Sequence, residues 1–229
     1  MLFRSEFVLQ TFRSETGCFH HTLQTLFHEV TVSLEKEMFL DLLNDRMVLI
    51  MACNLLLNLG GEGSGSVLDH ELRLDASTVL EADDRLIPTG KLLGVAGTPA
   101  DFRSLRRLGE GVDSDFDRIR MLRGYDHFFP VDGWRQNILT EVGELRDARS
   151  GRRVEILSSQ PGVTLYTGNR LGGGCPETKS GGRYRDYEGV AVVCQGYPDA
   201  VNRPEFPSPL LAPDGFYCQK TVYRFGTFR

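Results

Sequence analysis

The sequence predicts an all-β protein of antiparallel strands, and two observations carry that prediction. From Gly60 onward the chain is punctuated by turn formers: all ten prolines and 24 of the 25 glycines lie at or beyond Gly60. Between them stand strand-length apolar or alternating segments, each closed by Gly, Pro or Asp. Many short strands with long loops between them imply a large β-sandwich. At 229 residues the chain is long enough for one domain with a proper core.

Residues 1 to 59 leave two alternatives open. Leu23, Leu26, Phe27, Val30, Leu34 and Met38 share one face at a 3.6-residue period, which allows a helical segment somewhere within residues 20–57. Val30, Val32 and Leu34 also alternate with polar residues, as in a half-buried strand. After the Gly60–Gly65 loop, Leu68, His70, Leu72 and Leu74 alternate against Asp69, Glu71, Arg73 and Asp75, which predicts an antiparallel strand with one wet face. Pro88-Thr89-Gly90 reads as a turn, and Val95 to Pro99 as a short strand ending in another. Asp101 to Asp117 is charged and partly helical in character.

Phe128–Val131, Thr140–Arg146, Arg153–Ser158 and Val163–Thr167 follow as strands, with Asp147–Gly151 as a hairpin turn between two of them. Val190 to Val193 is a short apolar run of the buried-strand kind. The loop after it holds Pro198, Pro204, Pro207 and Pro209, so it is an ordered coil rather than a central strand or a helix. A buried strand feeding a proline-fixed loop presents side chains at the mouth of a cleft. Thr221 to Phe225 closes the chain as a last strand.

Bulk properties narrow the partners. A net charge of -5 argues against nucleic acid and against an anionic membrane surface. Arg103, Arg106 and Arg107, like Arg183 and Arg185, are diluted by acids and read as solvated faces. Five cysteines with no Cys-x-x-Cys pair point away from a disulfide framework or structural zinc, and toward a reducing, cytoplasmic setting. The most apolar stretch, Met47 to Leu59, contains Asn54 and Asn58 and is too short to span a bilayer.

Four separated segments then point to a family. They are Leu86-Ile-Pro-Thr-Gly90, Gly124-Tyr-Asp-His127, Pro161-Gly-Val-Thr-Leu-Tyr-Thr-Gly-Asn169, and Tyr197-Pro-Asp-Ala followed by the proline-rich run to Pro209. Together they resemble the aldose 1-epimerase (galactose mutarotase) family, over roughly Asn58 to Phe225. The resemblance implies a galactose mutarotase-like β-supersandwich over 58–229, incomplete at the amino terminus, with residues 1–57 as a diverged segment. It also implies mutarotation of free aldoses such as galactose or glucose, with no cofactor and no metal.

Mutarotation removes the anomeric hydroxyl proton and protonates the ring oxygen, so two proton-transfer groups must flank the sugar. The family uses a glutamate base and a histidine acid. The base motif falls on Val192-Val193-Cys194-Gln195, which puts Val193 at the base position. Aligning on Asn58-Leu59-Gly60-Gly61 puts Asn54 at the acid position. A valine moves no proton, and an amide donates a hydrogen bond but no proton at neutral pH.

Asp126 matches the family's sugar-binding aspartate, and Thr164 stands where a glutamine is usual. His127 reads as structural, as does Trp134. His20, His21 and His28 read as surface residues. Glu177 mimics the base motif but precedes Gly181-Gly182 rather than Tyr-Pro-Asp, and so belongs to the preceding loop. Two expectations follow: a mutarotase, or a catalytically impaired or truncated relative that only binds carbohydrate. In either case the partner is a small-molecule sugar, and the chain is a monomer or self-associates weakly through exposed sheet edges.

Overall fold

The computed structural model describes residues 19–26, 29–39, 47–48, 55–172, 181–212 and 216–228. Strands dominate. They are β1 Phe19–Leu26, β2 Glu29–Phe39, β3 Met47–Val48, β4 Leu56–Leu57, β5 Glu71–Leu74, β6 Thr78–Ala82, β7 Pro88–Gly94 and β8 Arg106–Arg107. Then come β9 Asp126–Pro130, β10 Thr140–Asp147, β11 Arg152–Ser158, β12 Gly162–Tyr166, β13 Val190–Gln195, β14 Leu210–Leu211 and β15 Phe216–Thr227. A four-residue helix, α1 Ile119–Leu122, and three 3-10 turns complete the described elements.

Seven strands form one antiparallel sheet in the order β1-β2-β15-β11-β10-β5-β8, and four form a second in the order β4-β13-β12-β9. Their inner faces meet in a single buried cluster. Leu72, Leu145, Ile156 and Tyr223 enter it from the larger sheet, and Phe129, Leu165, Val190 and Val192 from the smaller. Two buried polar side chains stitch the layers: Tyr223 Oη donates to the Val192 carbonyl at 3.0 Å, and Gln219 Nε2 to the Cys194 carbonyl at 3.3 Å. This is a sandwich whose core is filled by alternate residues of each strand.

Of the two alternatives for the amino-terminal stretch, the strand is the one realised wherever the chain is described. Residues 19–26 and 29–39 are β1 and β2, and the 3.6-residue stripe gives no helix there. The reason is tertiary. β2 lies between β1 and β15, with Val30, Val32 and Leu34 opposite Phe225, Tyr223 and Thr221, so its backbone groups pair on both sides. Pairing of that length overrides local helix preference.

Two further expectations are corrected. Pro88-Thr89-Gly90 is not a turn but the start of β7, and the turn lies just before it. Pro88 tolerates this place because a strand's first residue can lack an N–H. Val95 to Pro99 is a turn rather than a strand: Val95 is buried, Thr98 N–H donates back to its carbonyl at 2.9 Å, and Gly97 takes a left-handed φ of 70°. The Asp147–Gly151 hairpin turn forms as read, with the Asp147 carboxylate accepting the amides of Arg149 and Ser150.

Candidate functional site

The smaller sheet turns one face to the core and the other to an open cleft of about 350 Å³. Strand period two decides which residues go where. On β12, Val163 and Leu165 are buried in the core while Thr164 and Tyr166 line the cleft. On β13, Val190, Val192 and Cys194 fill the core while Ala191, Val193 and Gln195 line the cleft. On β9, His127 and Phe129 are buried, and Asp126 reaches the cleft from the strand's first position. Small-molecule sites commonly measure roughly 300–1,000 Å³, so the cleft is of ligand size.

Register brings the polar residues together. Thr164 stands opposite Val193 on one side and Phe128 on the other, and Tyr166 opposite Ala191 and Asp126. Leu86, from the tip between β6 and β7, and Arg170, just after β12, complete the walls with Leu122 and Asn169.

Asp126 is held from behind by two sequence segments that fold onto each other. Thr167 Oγ1 accepts the Tyr125 amide at 3.0 Å, and Asn169 Nδ2 donates to the Tyr125 carbonyl at 3.0 Å. Gly124, with φ 145°, brings the chain so close that a Cβ there would collide with the Thr167 and Asn169 side chains. The Tyr125 hydroxyl donates to the Pro99 carbonyl at 2.7 Å, and burial pushes its pKa up to about 12.

Next, the Asp126 amide donates to His127 Nδ1 at 3.0 Å, while His127 Nε2 lies 2.7 Å from the Asp117 carbonyl oxygen. The first bond needs a lone pair on Nδ1 and the second a proton on Nε2, which assigns the neutral Nε2–H tautomer. His127 is therefore a buried strut whose two ring nitrogens are both engaged.

The Asp117 carboxylate packs beneath this strut, with Oδ2 3.8 Å from His127 Nε2 and without a hydrogen-bond partner. Burial raises its pKa, against the pull of the Arg118 guanidinium. Asp126 itself keeps contact with solvent at the cleft mouth. The protein around it still desolvates the carboxyl enough to raise its pKa, against the opposing charge of Arg170.

Asp126, Thr164 and Val193 thus share one cleft, whereas Asn54 lies outside the described residues, as do His28 and Glu177. Sequence reasoning overlooked Tyr166 and Arg170. Tyr166 was within reach, being two residues beyond Thr164 on the same strand and so on the same face. Arg170 follows the strand in a turn and carried no such signal.

Asp126 is the one carboxylate among the described cleft-lining residues. The cleft can bind hydroxyls through Asp126, Thr164 and Gln195 and offers Val193 as an alkyl floor. Among the described residues no three His, Cys, Asp or Glu side chains gather as a metal site, and no helix is long and apolar enough to cross a membrane.

The family model for aldose 1-epimerase matches residues 4–224. The chain belongs to the aldose 1-epimerase family. That match begins well before Asn58, where the motif-based resemblance starts.

Human galactose mutarotase is 39% identical over 168 residues, which is 73% of this chain and 47% of that protein. The aldose 1-epimerase of Escherichia coli K12 is 34% identical over 174 residues, 73% of this chain and 48% of that protein. The chain therefore spans about half the length of these aldose 1-epimerase relatives.

Among solved structures, a GalM/aldose epimerase homologue from C. elegans superposes with a TM-score of 0.71 at 22% identity. It covers 92% of this chain and 69% of that one. Galactose 1-epimerase from Lactobacillus acidophilus gives 0.67 at 20% identity, covering 92% and 67%. These two likenesses establish a galactose mutarotase-like fold.

Proposed function

We propose that the cleft between Asp126, Thr164 and Val193 binds a free aldose such as galactose or glucose, and that this chain binds the sugar better than it turns it over. A carboxylate takes paired hydrogen bonds from adjacent hydroxyls, and Asp126 is rigidly held at the cleft with a neutral Thr164 and Gln195 beside it. The observation that carries the second half is Val193. It lies directly across from Thr164, in the seat where the family motif carries a glutamate, and an isopropyl group removes no proton. Loss of a general base lowers a rate by roughly 10²–10⁴-fold.

A second reading has one observation in its favour. The Asp126 pKa is raised, and a carboxyl moved toward neutrality is a better proton carrier than an ordinary one. On that reading Asp126 would supply residual mutarotation itself.

Polarimetry and calorimetry on the full chain separate the two. Fresh α-D-galactose should relax close to the buffer rate, while titration with galactose gives measurable heat that Asp126→Asn abolishes. A rate far above buffer that disappears in Asp126→Asn favours the second reading, and absence of binding rejects both.

A further inference from the structure

Leu86 occupies a place that its chemistry does not explain. Its φ is 64°, and among the described non-glycine residues with left-handed backbone it is the one aliphatic side chain. Leucine is poorly suited to that region, where glycine or asparagine is the usual occupant. Nor does the conformation bury the side chain, which remains 44% exposed and forms a wall of the cleft.

The surrounding tip is built to hold it there. Asp83 Oδ1 accepts the amides of Arg85 and Ile87 at 2.8 and 2.9 Å, and the Leu86 amide donates to the Asp83 carbonyl at 2.9 Å. Two ties fix the tip to the body. Arg118 Nη2 pairs with Asp84 at 3.0 Å, and Arg203 Nη2 donates to the Pro88 carbonyl at 2.7 Å. Arg203 belongs to the proline-rich loop, so the tip is braced from both flanks. Unfavourable backbone that is held so firmly, with its side chain at a cleft, is the pattern of a ligand clamp.

We infer that Leu86 is a specificity-determining contact: an apolar platform against which the C–H face of a bound aldohexose ring packs while Asp126 takes its hydroxyls. The inference rests on the reading of this cleft as a sugar site. It adds to the polar side of the cleft the apolar side that a pyranose needs, since its ring carries hydroxyls at the edge and C–H groups on its faces. Small-ligand sites characteristically combine such an apolar surface with a few placed polar groups.

The test uses calorimetric titration of galactose into the full chain and three variants. Leu86→Gly accepts the left-handed backbone, so it folds at least as stably as the parent. Leu86→Asn also tolerates that backbone and keeps a side chain of similar length, but a polar one. Both should weaken galactose binding on the order of tenfold, the scale of a lost apolar contact in a pocket. Leu86→Met restores an apolar side chain and should bind within a few-fold of the parent.

Parental affinity in both Leu86→Gly and Leu86→Asn overturns the inference, as does parental affinity in Leu86→Asn alone. Should the parent chain bind neither galactose nor glucose, the sugar reading of the cleft falls first and the platform with it. That failure appears in the parent titration, before any variant is compared.

Discussion

Thr164 on β12 and Val193 on β13 are direct cross-strand partners, both turned to the cleft, with Val193 4% exposed at its floor. Partners in such a pair have Cβ atoms about 4.5–5.5 Å apart, close enough for a longer side chain at one to meet the other. A glutamate at position 193 would therefore enter the cleft beside a hydroxyl able to donate to it. Val193→Glu should raise the mutarotation rate of α-D-galactose at least tenfold over the parent, followed by polarimetry. Val193→Gln, of equal size without a titratable group, should not. The glutamate should also lower unfolding stability by about 1–3 kcal/mol, measured in urea, because it places a carboxyl on an apolar floor.

The Asp126 amide depends on His127 Nδ1 as its acceptor. His127→Phe fills similar space but removes that acceptor and the donor to the Asp117 carbonyl, leaving two partly buried backbone groups unpaired. The loss should be about 1–3 kcal/mol for each orphaned group. His127→Asn places an oxygen near the former Nδ1, so it should recover more of the sugar affinity than of the stability. A Phe variant that binds galactose as well as the Asn variant would show that Asp126 does not need this strut.

Binding and stability should respond to pH in opposite directions at Asp126. Burial raises its folded pKa above the ordinary carboxylate value, so the native state holds this proton more readily than the unfolded chain. Its contribution to stability is therefore fullest below the ordinary aspartate range and is lost as pH rises through the raised folded pKa. On the proposed reading, sugar binding instead needs the ionised form and should weaken as pH falls through that same folded value. Calorimetric titrations from neutral pH down into the ordinary aspartate range should show the affinity falling toward acid. Asp126→Asn should bind weakly at every pH and be no less stable than the parent at neutral pH.

Gly162 sits against the Phe128 ring so closely that a Cβ would collide with it. Phe128 packs on Tyr197 at 4.8 Å between ring centroids, and Tyr197 stacks on Phe206 at 4.4 Å, which seats the proline-rich loop on the cleft sheet. Gly162→Ala should displace this column and cost about 1–3 kcal/mol, as overpacking does. For a chain of this size the melting temperature falls about 2–4 °C per kcal/mol, which thermal denaturation resolves.

Most of the sandwich was legible because its strands alternate. Period two in Leu72 and Leu74, and again in Val163 and Leu165, names both the strand and its core face. The amino-terminal strands were ambiguous because Val30 and Leu34 satisfy a period of four as well as of two, and only the β15 partner decides between them. The turn near Pro88 was misplaced because the side chain that builds it, Asp83, lies upstream of the proline and glycine that drew attention. In the cleft, Asp126, Thr164 and Val193 were found through motifs. Leu86 was visible only as a letter in one of those motifs, since nothing in a sequence announces that a leucine will take a left-handed backbone.

The two side chains that clasp Tyr125 lie 42 and 44 positions further along the chain, at Thr167 and Asn169. Neither needs to meet a ligand for its loss to matter, because the residue they anchor is the immediate neighbour of the cleft's carboxylate. Random mutagenesis screened for lost galactose capture should accordingly return hits at 167 and 169 as readily as at 126. The Gly-Tyr-Asp-His and Thr-Gly-Asn segments would then be inherited as one unit, in which a change in either half is tolerated only alongside a compensating change in the other.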